Sequence, residues 1–549
     1  MKASDLFIKC LEAEGIERIY GVPGEENADF MKSLEGSSID FILTRHEQGA
    51  AFMAGVYGRL TGKVGVCLGT LGPGATNLIT GVADSNMDRA PVLVITGQGA
   101  LTRQHKESHQ VMNVVEMYRP VTKWSCAINH PDNIPEIVHK AVKLAIAEKP
   151  GACHIELAED VAAIETEAVP LRSSRVRRPV PDDKIIDQVW ERLKSAKSPL
   201  IIAGNGAIRT RASQQLRQLC ATTGIGALMT FMAKGALDLD DPQCLYTVGM
   251  GQRDYPQLAI NAADLILTVG YDPVEYGPSK WNAECTKAII HMDFEPAESD
   301  QYYQPDIEVI GDLAHGLAAL NARISREGAP TYDLSAQRTL RDKMQAEFAE
   351  HAADAATGLI RPQKAVADAR AVLGAADILL SGVGAHKMWV ARHYQSHEPN
   401  TCLISNGFCS MGMPLPGAIA ARHAVPEARV LAIVGDGDVM MNVQEMETAS
   451  RLGSDIAVLV WEDREYGLIA WKQEQDFGSH TDLSFDNPDW AKLCASMGWH
   501  HQFCEEASDL QDCLRGALDH DGPAMVVIPV DYRENMALTR RLGTIDQTF

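Results

Sequence analysis

Short apolar runs ending near glycine recur along the chain, each followed by a stretch with helical spacing. VGVCLGT (64–70) leads into LGPGATNLITGVADSN, and the next apolar run is PVLVITG (91–97). PLIIAGNGA (199–207), DLILTVGYD (264–272), DILLSGVGA (377–385), RVLAIVGDG (429–437) and IAVLVWED (456–463) repeat the pattern. These runs are continuously apolar rather than alternating, which marks strands covered on both faces. Such strands separated by helices predict an α/β chain of doubly wound parallel sheets.

Two polar stretches interrupt the pattern. Residues 165–185 are rich in Pro and Arg with no apolar period, and residues 322–362 are polar and helical without strand signals. They leave three blocks, expected as domains at 1–165, 185–325 and 360–549, each large enough for its own core. The first and third blocks correspond faintly. A strand meets Gly72-Pro73-Gly74 in one and Gly435-Asp436-Gly437 in the other; a helix follows, and a strand returns near Pro91 and Ile456. Duplication explains this, and so does the general likeness of βαβ units.

Composition removes several classes. The 549 residues are 46% hydrophobic, which excludes a mainly disordered chain. A net charge of -23 repels phosphate backbones, so no nucleic-acid partner is expected. Asp5, Glu12, Glu14 and Glu17 break up the start of the chain, which argues against a signal peptide. No apolar run reaches the ~18–20 residues that span a bilayer. The 12 cysteines are scattered, without a CxxC pair. Thiols of that kind fit a reducing compartment, so a cytoplasmic protein with no membrane partner is expected.

The stretch from Val434 to Arg464 is the most informative. A buried strand ends in Gly435-Asp436-Gly437, a helix crosses over, and a second strand ends in Glu462-Asp463. Parallel strands end on the same sheet edge, where ligands bind, so Asp436 and Asp463 are expected to converge. Two carboxylates with a backbone carbonyl suit Mg²⁺, which completes its shell with phosphate and water. Gly435 and Gly437 let backbone approach a diphosphate, and a following helix N-terminus offers N–H groups. Two unrelated strand-end turns are the plainer alternative. Arg45-His46-Glu47 follows the strand DFILT and opens an apolar helix. Glu47 there either caps the helix or serves as a buried carboxylate for a cofactor ring nitrogen.

With these residues in place, the chain resembles the thiamine-diphosphate enzymes of the acetohydroxyacid synthase family from end to end. GVPG (21–24), RHEQGAAFMA (45–54), GRLTGKVGV (58–66), LGPGATNLITG (71–81), ISNGFCSMGMPLPGAI (404–419) and EMET (445–448) carry the likeness in order. GYDPVEYGPSKWN (270–282), YQPDIEVIGD (303–312) and His109-Gln110 look most like the catabolic acetolactate synthases.

The resemblance implies three domains: a pyrimidine-binding domain, a central domain, and a domain binding the diphosphate and Mg²⁺. It implies that Glu47 acts on the aminopyrimidine, and that Met411 sits beneath the cofactor and bends it, although a methionine there is equally ordinary core. Asp436, Asp463 and the carbonyl of Glu465 would hold Mg²⁺. Gly384, Ala385, His386 and Asp438 would contact the diphosphate beside Gly435 and Gly437. Pro73, Gly74 and Asn77 would line the pyrimidine end, and Gln110 would face the substrate. The implied reaction decarboxylates pyruvate and joins the two-carbon unit to a second pyruvate, giving 2-acetolactate. A site built from opposite ends of two chains implies an obligate homodimer and commonly a tetramer. FAD is not favoured, and no regulatory subunit is expected.

The sequence also departs from the family. The far metal ligand is commonly Asn; here it is Asp463. The SNGxQTMG pattern of the catabolic enzymes becomes SNGFCSMG, with Phe408-Cys409-Ser410, so a polar Gln is lost. Glu25 follows GVPG, where decarboxylase-like relatives carry an acid, but Gln110 stands where those relatives complete a His-His pair. A lyase that releases an aldehyde from a 2-oxo acid is therefore the alternative reading, as is a carboligase with another acceptor.

Overall fold

The computed structural model describes residues 1–173, 178–251, 253–354 and 358–542. Four residues of the polar 165–185 stretch lie outside the described ones. Eighteen strands form three six-stranded sheets, and every strand pair within them is parallel. The first sheet holds β1 (Arg18–Gly21), β2 (Asp40–Leu43), β3 (Gly65–Gly69), β4 (Val92–Gln98), β5 (Trp124–Ile128) and β6 (Ala152–Ala158). The second holds β7 (Pro199–Ala203), β8 (Ala227–Met229), β9 (Cys244–Thr247), β10 (Leu265–Val269), β11 (Ala288–Asp293) and β12 (Ile307–Ile310). The third holds β13 (Ile378–Ser381), β14 (Cys402–Ile404), β15 (Val430–Gly435), β16 (Ala457–Glu462), β17 (His500–Phe503) and β18 (Ala524–Pro529).

The first and third sheets share one topology, with orders β2-β1-β3-β4-β6-β5 and β14-β13-β15-β16-β18-β17. The central sheet runs β12-β11-β10-β7-β8-β9, the order of dinucleotide-binding folds. The likeness of the outer blocks is thus one of strand order, beyond a shared βαβ unit. In sheets of this kind ligands bind where the strand order reverses, beyond the strands' C-terminal ends. That point falls between β1 and β3 in the first sheet and between β13 and β15 in the third.

The strands are apolar throughout because helices cover both faces; β3, β4, β6, β7 and β10 are buried at every residue. The helix Glu47–Thr61 starts where the His46 ring accepts the Gln48 N–H at 3.0 Å. It stops at Gly62, whose φ of +69° suits glycine. This helix packs on the helix Pro414–Ala424, so the first and third blocks share one apolar core. The helix Ser335–Ala349, in the stretch expected to be polar and helical, lays Leu340 and Met344 on the central core. Among the described residues no helix is long and apolar enough to cross a membrane.

Candidate active site

The turns after β13, β15 and β16 converge on one crevice. Gly384, Ala385, His386, Met411 and the residues Gly435 to Asp438 line it, with Asp463 and Glu465. Every site residue expected in the third block is therefore in one place. Backbone hydrogen bonds hold the acids there. Asp436 is buried, and its Oδ2 accepts from the Asp463 N–H at 3.2 Å and the Arg464 N–H at 2.7 Å. Asn487 Nδ2 donates to the same oxygen at 2.8 Å and to Glu462 Oε1 at 2.9 Å. Glu462 thus braces Asn487, while the neighbouring Asp463 faces Asp436.

The electrostatics ask for a cation. Burial, and then the Asp436 charge, push the Asp463 carboxyl up to about 8. The backbone leaves room for it: a Cβ on Gly467 would sit 2.4 Å from Asp463 Oδ2. Deeper in the crevice His386 Nε2 lies 3.6 Å from Asp438 Oδ2, and neither atom has a hydrogen-bond partner among the described residues. Buried polar atoms left open in this way suit a polar ligand. Gly382 makes the arrangement possible, since a Cβ there would meet Asp438 Oδ2 at 1.7 Å. Met411 is fixed by its neighbour Gly412, whose N–H donates to Asp438 Oδ1 at 2.6 Å and whose carbonyl accepts from Asn442 Nδ2 at 2.9 Å. The buried Asp436 carboxylate, the half-buried Asp463, open polar atoms and glycine-lined turns fit Mg²⁺ and a diphosphate.

The first block gathers a second group. Glu47 is the first residue of its helix and is 8% exposed. Asn77 Nδ2 donates to Glu47 Oε2 at 2.9 Å. Gly74 leaves the space beside it, a Cβ there lying 3.3 Å from Glu47 Oε1. Gln110 packs against Gly72, so it stands at the start of the helix Pro73–Met87, close to Pro73. None of Glu47, Pro73, Gly74, Asn77 and Gln110 lines the third-block crevice. The first block thus gathers its candidate residues around Glu47, and the third block gathers its own in the crevice.

Glu445 was not singled out as a site residue, although it opens the EMET segment. It is fully buried in the third block, and its carboxylate accepts the His46 N–H at 3.0 Å and the Arg45 N–H at 3.2 Å. It thereby fixes the turn that presents Glu47. Asn487 was also missed; it lies in an irregular segment with no period to flag it. Glu25 is exposed, whereas the adjacent Glu26 accepts from Thr70 Oγ1 at 3.1 Å. Cys409 lies 3.0 Å from Lys387 Nζ and, like Phe408 and Ser410, does not line the crevice.

Comparison with known proteins gives three family matches in order. Residues 1–117 match the N-terminal TPP binding domain of thiamine pyrophosphate enzymes, 186–320 the central domain, and 382–528 the C-terminal TPP binding domain. The chain is 32% identical over 541 residues to an acetolactate synthase of Bacillus subtilis (strain 168), covering 98% of this chain and 94% of that one. It is 33% identical over 548 residues to a catabolic acetolactate synthase of Raoultella terrigena, covering 98% and 97%. The acetolactate synthase isozyme 2 large subunit of Escherichia coli (strain K12) is 30% identical over 541 residues, at 98% and 97% coverage.

Proposed function

The chain belongs to the acetolactate synthase family of thiamine-pyrophosphate enzymes, and on that premise we propose that it converts two pyruvates into 2-acetolactate and CO₂. The observation that carries the reading is the acidic crevice at the switch point of the third sheet, paired with a buried glutamate in the first. Thiamine diphosphate, when bound, supplies a nucleophilic carbon and an electron sink for decarboxylation. The protein's part is to hold, orient and move protons.

Glu47 holds a proton at the aminopyrimidine ring nitrogen, and Asn77 keeps its carboxylate oriented. Pro73 and Gly74 flank that end, and Gln110 faces the substrate. Met411 would give the bound cofactor an apolar support in the crevice. Asp436, Asp463 and the Glu465 carbonyl hold Mg²⁺. His386 and Asp438, with the turns at Gly384-Ala385 and Gly435–Gly437, receive the diphosphate. With Glu47 in the first block and Asp436 in the third acting on opposite ends of one cofactor, each complete site would take Glu47 from one chain and Asp436 from another. The working unit is then a homodimer, or a tetramer of two such pairs, acting without a regulatory subunit. All 12 cysteines are free, which supports a reducing, cytoplasmic setting.

The central sheet supports a reading without FAD. At its switch point the Asn205 N–H already donates to Glu275 Oε1 at 2.9 Å, and Thr230 donates to the same carboxylate. Gly204 and Gly206 are spent on close packing against Gly270. A buried carboxylate thus occupies the donors that a nucleotide phosphate would need.

Incubation with pyruvate, thiamine diphosphate and Mg²⁺, with the products identified by NMR, tests the proposal. Acetolactate is expected as the main product and acetaldehyde as a minor one. Glu25→Gln is expected to lower acetaldehyde more than acetolactate, because Glu25 stands after GVPG, where decarboxylase-like relatives carry an acid. Acetaldehyde as the dominant product, suppressed by Glu25→Gln, would overturn the synthase in favour of a lyase.

The metal site gives a second expectation. An asparagine at 463 keeps a side-chain oxygen where the Asp463 carboxylate stands and leaves the hydrogen bonds to Asp436 in place. Asp463→Asn should therefore keep Mg²⁺-dependent activity, with metal affinity lowered by no more than about tenfold. Titration of activity with Mg²⁺ reads this directly, and complete loss of metal dependence would contradict it.

A further inference from the structure

The segment between β14 and Met411 is gripped by the first block. Ser405 Oγ donates to Asp84 Oδ1 at 2.5 Å, and the Ser410 N–H reaches the same oxygen at 3.3 Å. Asp88 Oδ1 accepts the Asn406 N–H at 3.2 Å and the Gly407 N–H at 2.7 Å. Both acids are buried, at 5% and 3% exposure. Arg59 lies 3.5 Å from Asp88 and donates to the Ile404 carbonyl at 3.0 Å. Fully buried Lys387 donates to Cys409 Sγ at 3.0 Å, near the end of the loop.

These acids stand where local rules disfavour them. They occupy the last turn and the C-cap of the helix Pro73–Met87, where the helix dipole repels negative charge. Burial, and then the Asp88 charge, push the Asp84 carboxyl up to about 7. What offsets these costs is the set of loop donors and the two cations. Side chains placed against local preference, whose hydrogen-bond donors come from one loop, mark a positional task. That loop leads straight into Met411 and Gly412, the latter bound to Asp438.

We propose that Asp84 and Asp88 are positioning residues for the crevice of their own chain, holding the 405–410 loop so that Met411 stands at a fixed place in it. The inference rests on the shared-site reading, in which that crevice is completed by another chain's Glu47. The helix Pro73–Met87 then serves two different sites. Asn77, near its start, orients Glu47 for one site. Asp84, seven residues or about 10 Å further on, steadies Met411 for the other.

A mixed dimer separates these roles. One chain carries Glu47→Gln and the other Asp436→Ala, which leaves one live site, made of the first chain's crevice and the second chain's Glu47. Asp84→Ala is added to either chain, and pyruvate turnover is measured. Placed with the live crevice, it is expected to lower kcat about tenfold or more, the scale of a misplaced active-site group. Placed in the Asp436→Ala chain, its loss is expected to be several-fold smaller. Asp84→Asn, which retains an acceptor oxygen, should recover most of the turnover in the first placement. If Asp84→Ala prevents folding, Ser405→Ala removes the donor from the loop side and should show the same order with a smaller loss. Equal losses in both placements, or the reverse order, would overturn the inference. No turnover in the parent mixed dimer, with both parent homodimers folded, would instead overturn the shared site and this inference with it.

Discussion

Glu47→Gln is expected to cut pyruvate turnover by at least about 100-fold, the usual scale for a positioned acid–base group, while cofactor binding stays nearly intact. The substitution is nearly isosteric, which matters because Gly74 leaves little spare room beside the carboxylate. A glutamine can still present its carbonyl oxygen to Asn77 Nδ2, now 2.9 Å from Glu47 Oε2. What it cannot do is exchange a proton. Glu445 grips the backbone before residue 47 rather than its side chain, so the turn at Arg45 and His46 should persist. The helix loses one negative charge at its N-terminus, a stability cost of roughly 0.3–1 kcal/mol. Steady-state kinetics, a cofactor titration and a melting curve together check the claim. Turnover near that of wild type would remove Glu47 from the chemistry. Lost cofactor binding with lost turnover would make it a binding residue instead.

The strands were legible because burial on both faces leaves an unbroken apolar run, and β15 and β16 were read almost to their ends. The crevice was legible for a related reason. Parallel strands deliver their C-terminal turns to one edge, so Asp436 and Asp463 met as their spacing implied. Asp84, Asp88 and Glu445 were hidden by distance along the chain: Asp88 bonds a residue 318 positions away, and Glu445 one that is 400 away. No local period encodes such pairs. The helix Ser335–Ala349 was legible as a polar helix, but its docking was not: few of its residues are buried, and Leu340 and Met344, one turn apart, set it on the central core. Sequence spacing also said nothing of which half-sites meet. It placed Glu47 and Asp436 in like blocks and left open whether one chain or two complete a site.

Asp436→Ala is expected to release both Mg²⁺ and thiamine diphosphate, with metal affinity falling by more than about 100-fold, beyond the loss typical of a supporting residue. The carboxylate does two jobs at once. It offers a ligand to the ion that bridges protein and diphosphate, and its Oδ2 gathers the N–H groups of Asp463 and Arg464 with the Asn487 amide. An alanine leaves those donors without their acceptor and frees the turn that carries Asp463 and the Glu465 carbonyl. Two ligands are thereby misplaced when one is deleted. Asp463→Asn differs because it keeps an oxygen in place and leaves the Asp436 hub intact. EDTA dialysis of the wild type gives the matching control, since activity should vanish and return when Mg²⁺ is restored. The variant should regain nothing at Mg²⁺ levels that saturate the wild type. Cofactor binding, followed by tryptophan fluorescence, should fail in parallel, as Trp461 lies in the core behind the crevice next to His386. An Asp436→Ala protein that binds the cofactor as tightly as the wild type would mean that the diphosphate sits elsewhere.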